Sequence, residues 1–195
     1  MKKSELREKY LKKREALSKD EVLTKSAQIF ENFVDFFKLE KMQNVHCFLS
    51  IPEKGEVDTS LFVETFFKHQ VNVFVPKIVN KKMISVTLTA DTQLKKNAWG
   101  ITEPESNDNT ELNSFDLVLT PLLYCDAHGN RVGYGKGYYD GFFEKLTPHS
   151  IKVGVSFFNP QEEIDDSWEK DIPLDYLVTP TEVLSFGGFT SKSTK

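Results

Sequence analysis

Five of the ten glycines in this 195-residue chain fall between positions 129 and 141. They lie in the run Asp126-Ala-His-Gly-Asn-Arg-Val-Gly-Tyr-Gly-Lys-Gly-Tyr-Tyr-Asp140. Glycine frees the backbone for positive φ and lets another molecule approach the main chain closely. Where such a run leaves a strand and opens a helix, bare N–H groups and the helix dipole favour an anion, and Arg131 and Lys136 add full positive charge. The chemistry these residues suit is the binding of a polyphosphate. Neither common phosphate motif is present. A Walker loop ending at Gly135-Lys136 needs glycine where Asn130 stands and Ser or Thr where Gly137 stands. The dinucleotide pattern starting at Gly133 needs glycine where Tyr138 stands. A turn that only packs a helix on a sheet would leave the concentration of Arg, Lys, Tyr and Asp unexplained.

Asp140 follows about one helical turn inside this run. A carboxylate there repels phosphates unless a divalent cation intervenes, and Mg²⁺ takes one or two carboxylates with phosphate oxygens and water. A second carboxylate is available in the acidic stretch 162–175, where Asp171 and Asp175 flank Ile-Pro-Leu just before the last strands. Cys125-x-x-His128 offers two ligands where a structural zinc needs four. No Gly-x-Ser-x-Gly elbow and no Ser–His–Asp set is found. This fits a reaction whose nucleophile comes from the substrate.

Charge is unevenly spread. Residues 1–14 hold seven bases and two acids, a net of +5, against −9 for the remainder. A basic arm on an acidic body has three readings: nucleic-acid binding, a solvated amphipathic helix, or one or two bases reaching a small phosphorylated ligand. The whole-chain balance of −4 speaks against a broad phosphate-backbone footprint.

The elements that must position these residues alternate. Residues 4–15 read as a helix with Leu6, Tyr10 and Leu17 roughly on one side. Ser18 and Glu21 form a capping box for a helix that places Val22, Ile29, Phe30, Phe33 and Phe37 on one face. Asn44–Ser50 reads as a strand. Asp58 or Thr59 caps a helix with Leu61, Phe62, Phe66 and Phe67. Val71–Ile78 and Met83–Thr89 are strand-like, and Asn97–Ser114 reads as a long acidic loop. Asp116–Thr120, a helix over 137–146, Ile151–Ser156, Tyr176–Thr179 and Glu182–Phe186 complete the pattern. Strand–helix alternation predicts an α/β fold with a mainly parallel sheet, as one domain over 1–188 with a frayed tail at 189–195.

Composition excludes several classes. Hydrophobic residues make up 39% and charged residues 28%, as in globular proteins and unlike disordered chains. Two cysteines cannot build a disulfide framework. No apolar run approaches the ~18 residues of a membrane span. Lys2 and Lys3 lead into charged residues rather than a signal peptide's apolar stretch, so the expected location is the cytoplasm.

The run Gly129-Asn-Arg-Val-Gly-Tyr-Gly-Lys-Gly-Tyr-Tyr-Asp140 resembles the signature of the 5-formyltetrahydrofolate cyclo-ligase family, also called methenyltetrahydrofolate synthetases. The resemblance extends through Lys3-x-x-x-Arg7, Arg14-Glu-Ala-Leu-Ser18, Phe48-Leu-Ser50 with Gly55-Glu-Val-Asp-Thr59, Trp99-Gly-Ile-Thr-Glu-Pro104 and Asp171-Ile-Pro-Leu-Asp175. It implies a three-layer α/β/α sandwich and ATP-driven, Mg²⁺-dependent closure of 5-formyltetrahydrofolate, with small-molecule substrates, no nucleic acid or membrane, and a monomer. By position, Lys3 and Arg7 match ATP contacts, favouring the third reading of the arm. Arg131, Val132, Gly133, Tyr134, Gly135, Lys136, Gly137, Tyr138 and Tyr139 match the phosphate loop, with Arg131, Lys136 and Tyr139 implied in catalysis and residues 134–138 also facing folate. Leu49, Glu56 and Trp99 match folate positions, and Asp140 and Asp171 match magnesium ligands. One departure is Thr120-Pro-Leu122, where members often have Val-Pro-Gly.

Overall fold

The computed structural model describes residues 1–97 and 100–187. Helices α1 (Lys3–Glu15) and α2 (Lys19–Phe36) come first. The Ser18 hydroxyl accepts from the Glu21 N–H at 3.2 Å while the Glu21 carboxylate accepts from the Ser18 N–H at 2.8 Å. That reciprocal cap starts α2 where the capping box predicts. Strand β1 (Asn44–Cys47), helix α3 (Ser60–Lys68) and the hairpin β2 (Asn72–Val79) and β3 (Lys82–Leu88) follow. Then come β4 (Leu94–Lys96), β5 (Thr102–Pro104), β6 (Leu117–Pro121), β7 (Tyr124–Cys125) and β8 (Arg131–Val132). Helix α4 (Tyr138–Phe143) and strands β9 (Ile151–Val155), β10 (Tyr176–Val178) and β11 (Val183–Ser185) end the described chain.

The main sheet has seven strands in the order β11-β10-β9-β6-β1-β2-β3. The strands from β10 to β2 pair in parallel, and the edge strands β3 and β11 are antiparallel. Central strands are covered on both faces, so they read as apolar runs rather than alternating ones. Val45, Cys47, Leu117 and Leu119 face α2 and α3, in one core with Ile29, Phe33, Phe62 and Phe66. Phe74, Phe115 and Val118 face the other way, against Phe142 and Phe143 of α4. The result is the expected three-layer α/β/α sandwich.

Several expectations give way. The stretch 97–114 is not all loop, since β5 pairs antiparallel with β4. The hairpin β7–β8, too short to show a period, leads into the glycine run, whose Arg131 and Val132 form β8. Helix α4 ends at Phe143, short of Leu146. Leu17 lies past the end of α1 and packs with the α2/α3 core; Arg14, 4% exposed, takes the next place on the buried face of α1 after Leu6 and Tyr10. The expected frayed tail at 189–195 lies outside the described residues.

One topological feature positions the site. From β1 the chain adds β2 and β3 on one side, then returns to lay β6, β9, β10 and β11 on the other. The connections leaving β1 and β6 therefore diverge at the carboxyl ends of these strands, which opens a crevice there.

Candidate active site

A cleft of ≈ 980 Å³ occupies that crevice. Leu49 after β1, Pro121 at the end of β6, the glycine loop after β8 and the start of α1 border it. The hairpin β4–β5 supplies Asn97, Ile101 and Glu103 to its rim.

The glycine loop hangs from β8, where Val132 is fully buried. Gly135 has φ +81°, and a side chain there would meet the Arg7 guanidinium at 3.2 Å. The positive φ is what favours glycine here. Arg7 Nε donates to the Gly133 carbonyl at 2.9 Å, so α1 is clamped onto the loop. Gly137 caps α4 with φ +69°, leading into Tyr138 at the first turn. Lys136 is exposed and, among the described residues, has no ion pair or hydrogen bond. Its charge is free to meet a ligand.

Arg131 behaves differently. Its side chain is 8% exposed; one nitrogen donates to Asp140 Oδ1 at 2.6 Å and another to the Ile172 carbonyl. A buried guanidinium needs such acceptors, so internal partners rather than a free face hold this cation. Burial lowers its pKa, opposed first by the charge of Asp140. Lys3 is likewise engaged, pairing with Asp171, which also accepts from the Trp168 N–H. Burial raises the Asp171 pKa, but the bonds from Lys3 and Trp168 and the nearby Arg131 charge outweigh it, leaving the carboxyl below its ordinary value. Asp140 and Asp171 thus come together around Arg131, from α4 and from the segment before β10. Among the described residues no group of three or more His, Cys, Asp or Glu side chains is gathered to hold a metal ion.

Glu56, 5% exposed, also lines the cleft. Its Oε2 accepts from the Ile51 N–H at 2.9 Å and its Oε1 from the Tyr134 hydroxyl at 2.6 Å. The Tyr134 oxygen in turn accepts from Arg14 at 2.6 Å. The Tyr139 hydroxyl is buried in the cleft wall and has no hydrogen-bond partner among the described residues. Burial, with the charge of Glu56, pushes its pKa well up, which keeps it a donor. Trp99 lies outside the described residues.

Arg14, quoted in a matching motif but given no role there, reaches the cleft through Tyr134. Its signal was an arginine continuing the i, i+4 stripe of Leu6 and Tyr10, where a core residue is expected. The arm as a whole is largely used within the molecule. Lys9 pairs with Glu162, Lys12 with Glu8, and Lys13 lies over the Tyr10 ring at 4.6 Å.

A family model described as the 5-formyltetrahydrofolate cyclo-ligase family matches residues 1–180. The chain belongs to this family. It is an enzyme, a ligase by the family's class. It is 28% identical over 178 residues to a probable 5-formyltetrahydrofolate cyclo-ligase of Schizosaccharomyces pombe, covering 83% of this chain and 86% of that one. To the 5-formyltetrahydrofolate cyclo-ligase of Mus musculus it is 30% identical, over 69% of this chain and 70% of the relative. The solved structure of Aquifex aeolicus 5,10-methenyltetrahydrofolate synthetase superposes with TM-score 0.77 at 31% identity, covering 95% of this chain and 93% of that one.

Proposed function

We propose that the protein closes 5-formyltetrahydrofolate to 5,10-methenyltetrahydrofolate, using ATP and releasing ADP and phosphate. The observation that carries this reading is a cleft lined both by the glycine loop, with the free charge of Lys136, and by a buried, hydrogen-bonding carboxylate, Glu56. At ≈ 980 Å³ it lies at the upper end of ordinary ligand sites, as two substrates held side by side require. The internal use of the basic arm favours small phosphorylated ligands over nucleic acid. Among the described residues no helix is long and apolar enough to cross a membrane; we place the enzyme in the cytoplasm, acting as a monomer.

The chemistry explains why positioning and charge matter more than a protein nucleophile. A formamide oxygen is a poor leaving group. In the proposed reaction it attacks the γ-phosphorus, ADP departs, and the formyl carbon carries a phosphate. N10 then adds to that carbon, loses its proton, and phosphate is expelled to leave the methenyl bridge. Lys136 and the N–H groups of Gly133–Gly137 neutralise and orient the transferring phosphoryl group. Arg7 and Lys3 fix the loop and the acidic wall from α1. Arg131 acts by holding Asp140. Glu56 accepts from N–H groups of the pterin, Leu49 packs beside it, and Tyr139 forms part of the cleft wall. Asp140 and Asp171 are hard oxygen donors of the kind Mg²⁺ takes, and they are the residues that would hold it. When bound, that ion supplies charge neutralisation at the phosphates.

The test is direct. Purified protein mixed with 5-formyltetrahydrofolate and MgATP should develop the methenyl chromophore with stoichiometric ADP. No chromophore, with either folate or nucleotide shown to bind, would refute the reaction.

A further inference from the structure

We propose that Arg14 is a positioning residue for Glu56, acting through the Tyr134 hydroxyl. The proposal rests on the reading of Glu56 as the carboxylate that receives the pterin.

Arg14 stands two helical turns after Leu6 on the buried face of α1, and only 4% of it is exposed. A cation in that position is costly unless it is paired. Among the described residues it makes no ion pair. Its one side-chain hydrogen bond goes to the Tyr134 oxygen at 2.6 Å, its Nε is buried without a partner, and its guanidinium lies over the Tyr134 ring at 5.5 Å. Nothing about the packing of α1 needs this charge, since Leu6 and Tyr10 fill the same face with apolar surface.

What the charge does follows from the direction of the bonds. A phenol has one proton. With Arg14 donating to the oxygen of Tyr134, that proton is directed to Glu56 Oε1 at 2.6 Å, while the Ile51 N–H holds Oε2 at 2.9 Å. The carboxylate is therefore gripped at both oxygens and its plane is set. Each carboxylate oxygen has about two acceptor sites, so one on each remains for a paired N–H and amino edge, the recognition surface of a cyclic guanidine such as the pterin ring. Burial and the charge of Glu56 push the Tyr134 pKa up, so the phenol remains a donor. Because Tyr134 belongs to the glycine loop and Arg7 holds Gly133 from the same helix, α1 aligns the loop and the carboxylate together.

The experiment compares Arg14→Met, Arg14→Lys, Tyr134→Phe and the double variant Arg14→Met/Tyr134→Phe, with steady-state kinetics in each substrate and a melting curve. The expected result is a folate KM raised about tenfold or more in Arg14→Met and Tyr134→Phe, the scale of one lost partner at a buried polar group, with the ATP KM changed less than about twofold. The double variant should be no worse than the poorer single one, because the two residues act in series. Arg14→Lys should recover part of the loss. Additive effects, an equal rise in both KM values, or a parental folate KM in folded Arg14→Met would overturn the proposal. If Arg14→Met does not fold, Tyr134→Phe, which loses only a hydroxyl, decides by the same KM split. Parental protein that binds no 5-formyltetrahydrofolate in calorimetry would refute the function and this inference together. Parental protein and variants that bind it equally would refute the inference alone.

Discussion

Lys136, proposed to act on the transferring phosphoryl group, contributes little to the fold. It is exposed on a glycine loop with no partner among the described residues, so Lys136→Ala should leave the melting temperature close to parental while turnover falls about 10²–10³-fold, the usual effect of losing one transition-state cation. Turnover near parental at saturating ATP would remove Lys136 from the mechanism. His46 is the opposite case. It is fully buried, both ring nitrogens lack partners among the described residues, and Phe115 and Phe142 pack against it. Burial lowers its pKa to about 3, against ~6.5 in an unfolded chain. Above ~6.5 neither state is protonated and the residue adds no pH dependence. As the pH falls from ~6.5 toward 3, only the unfolded chain takes up the proton, and stability is lost by up to about 1.4 kcal/mol per unit. Urea unfolding at pH 7 and pH 4.5 should therefore show His46→Leu gaining on the parental protein as the pH drops. A difference between the two proteins that does not change with pH would contradict this account.

Helix α1 is the element on which sequence and structure differ most usefully. Its charge suggests a separable arm, yet Leu6 and Tyr10 are fully buried with Leu123, Tyr124 and Val132. The Met1 amino group bonds to the Glu163 carbonyl at 2.8 Å and pairs with Asp165 at 2.7 Å. Removing residues 1–8 would therefore lower stability as well as ATP binding, since losing a buried leucine alone costs about 2–5 kcal/mol. A cleaner probe is Arg7→Ala, which releases Gly133 and leaves the apolar stripe intact. The ATP KM should rise several-fold with only a small change in melting temperature. An unchanged KM would leave Arg7 with a packing role alone. In β9, Gly154 answers a different demand: a Cβ there would lie 2.5 Å from Leu174 and 2.6 Å from Leu122. Gly154→Ala should accordingly lower the melting temperature by several degrees, through overpacking, and a parental melting curve would contradict it.

At the scale of the whole molecule, the acidic wall depends on segments distant in sequence. Asp171 binds Lys3 across 168 positions, and Asp140 is held by Arg131. If Asp140 and Asp171 serve a magnesium ion, Asp171→Asn should raise the Mg²⁺ concentration for half-maximal activity, and excess Mg²⁺ should partly restore the rate. An unchanged Mg²⁺ requirement together with a lower melting temperature would assign Asp171 to tethering Lys3 and nothing more. The features legible in the sequence were those set by neighbours along the chain. The cap at Ser18, the apolar face of α2, the paired apolar strands and the glycine loop each depend on residues within a turn or two, so spacing alone reveals them. The hairpin β7–β8 has too few residues to display a period. Only the tertiary structure decided which basic residues are free. Arg131, Lys3 and Arg14 look like Lys136 as residue types, yet burial beside distant acceptors engages the first three, while the loop leaves the fourth in solvent. A charge is spent or available according to what folding brings within about 3 Å of it, and that proximity is set by the packing of α1 and the acidic segment across the sheet.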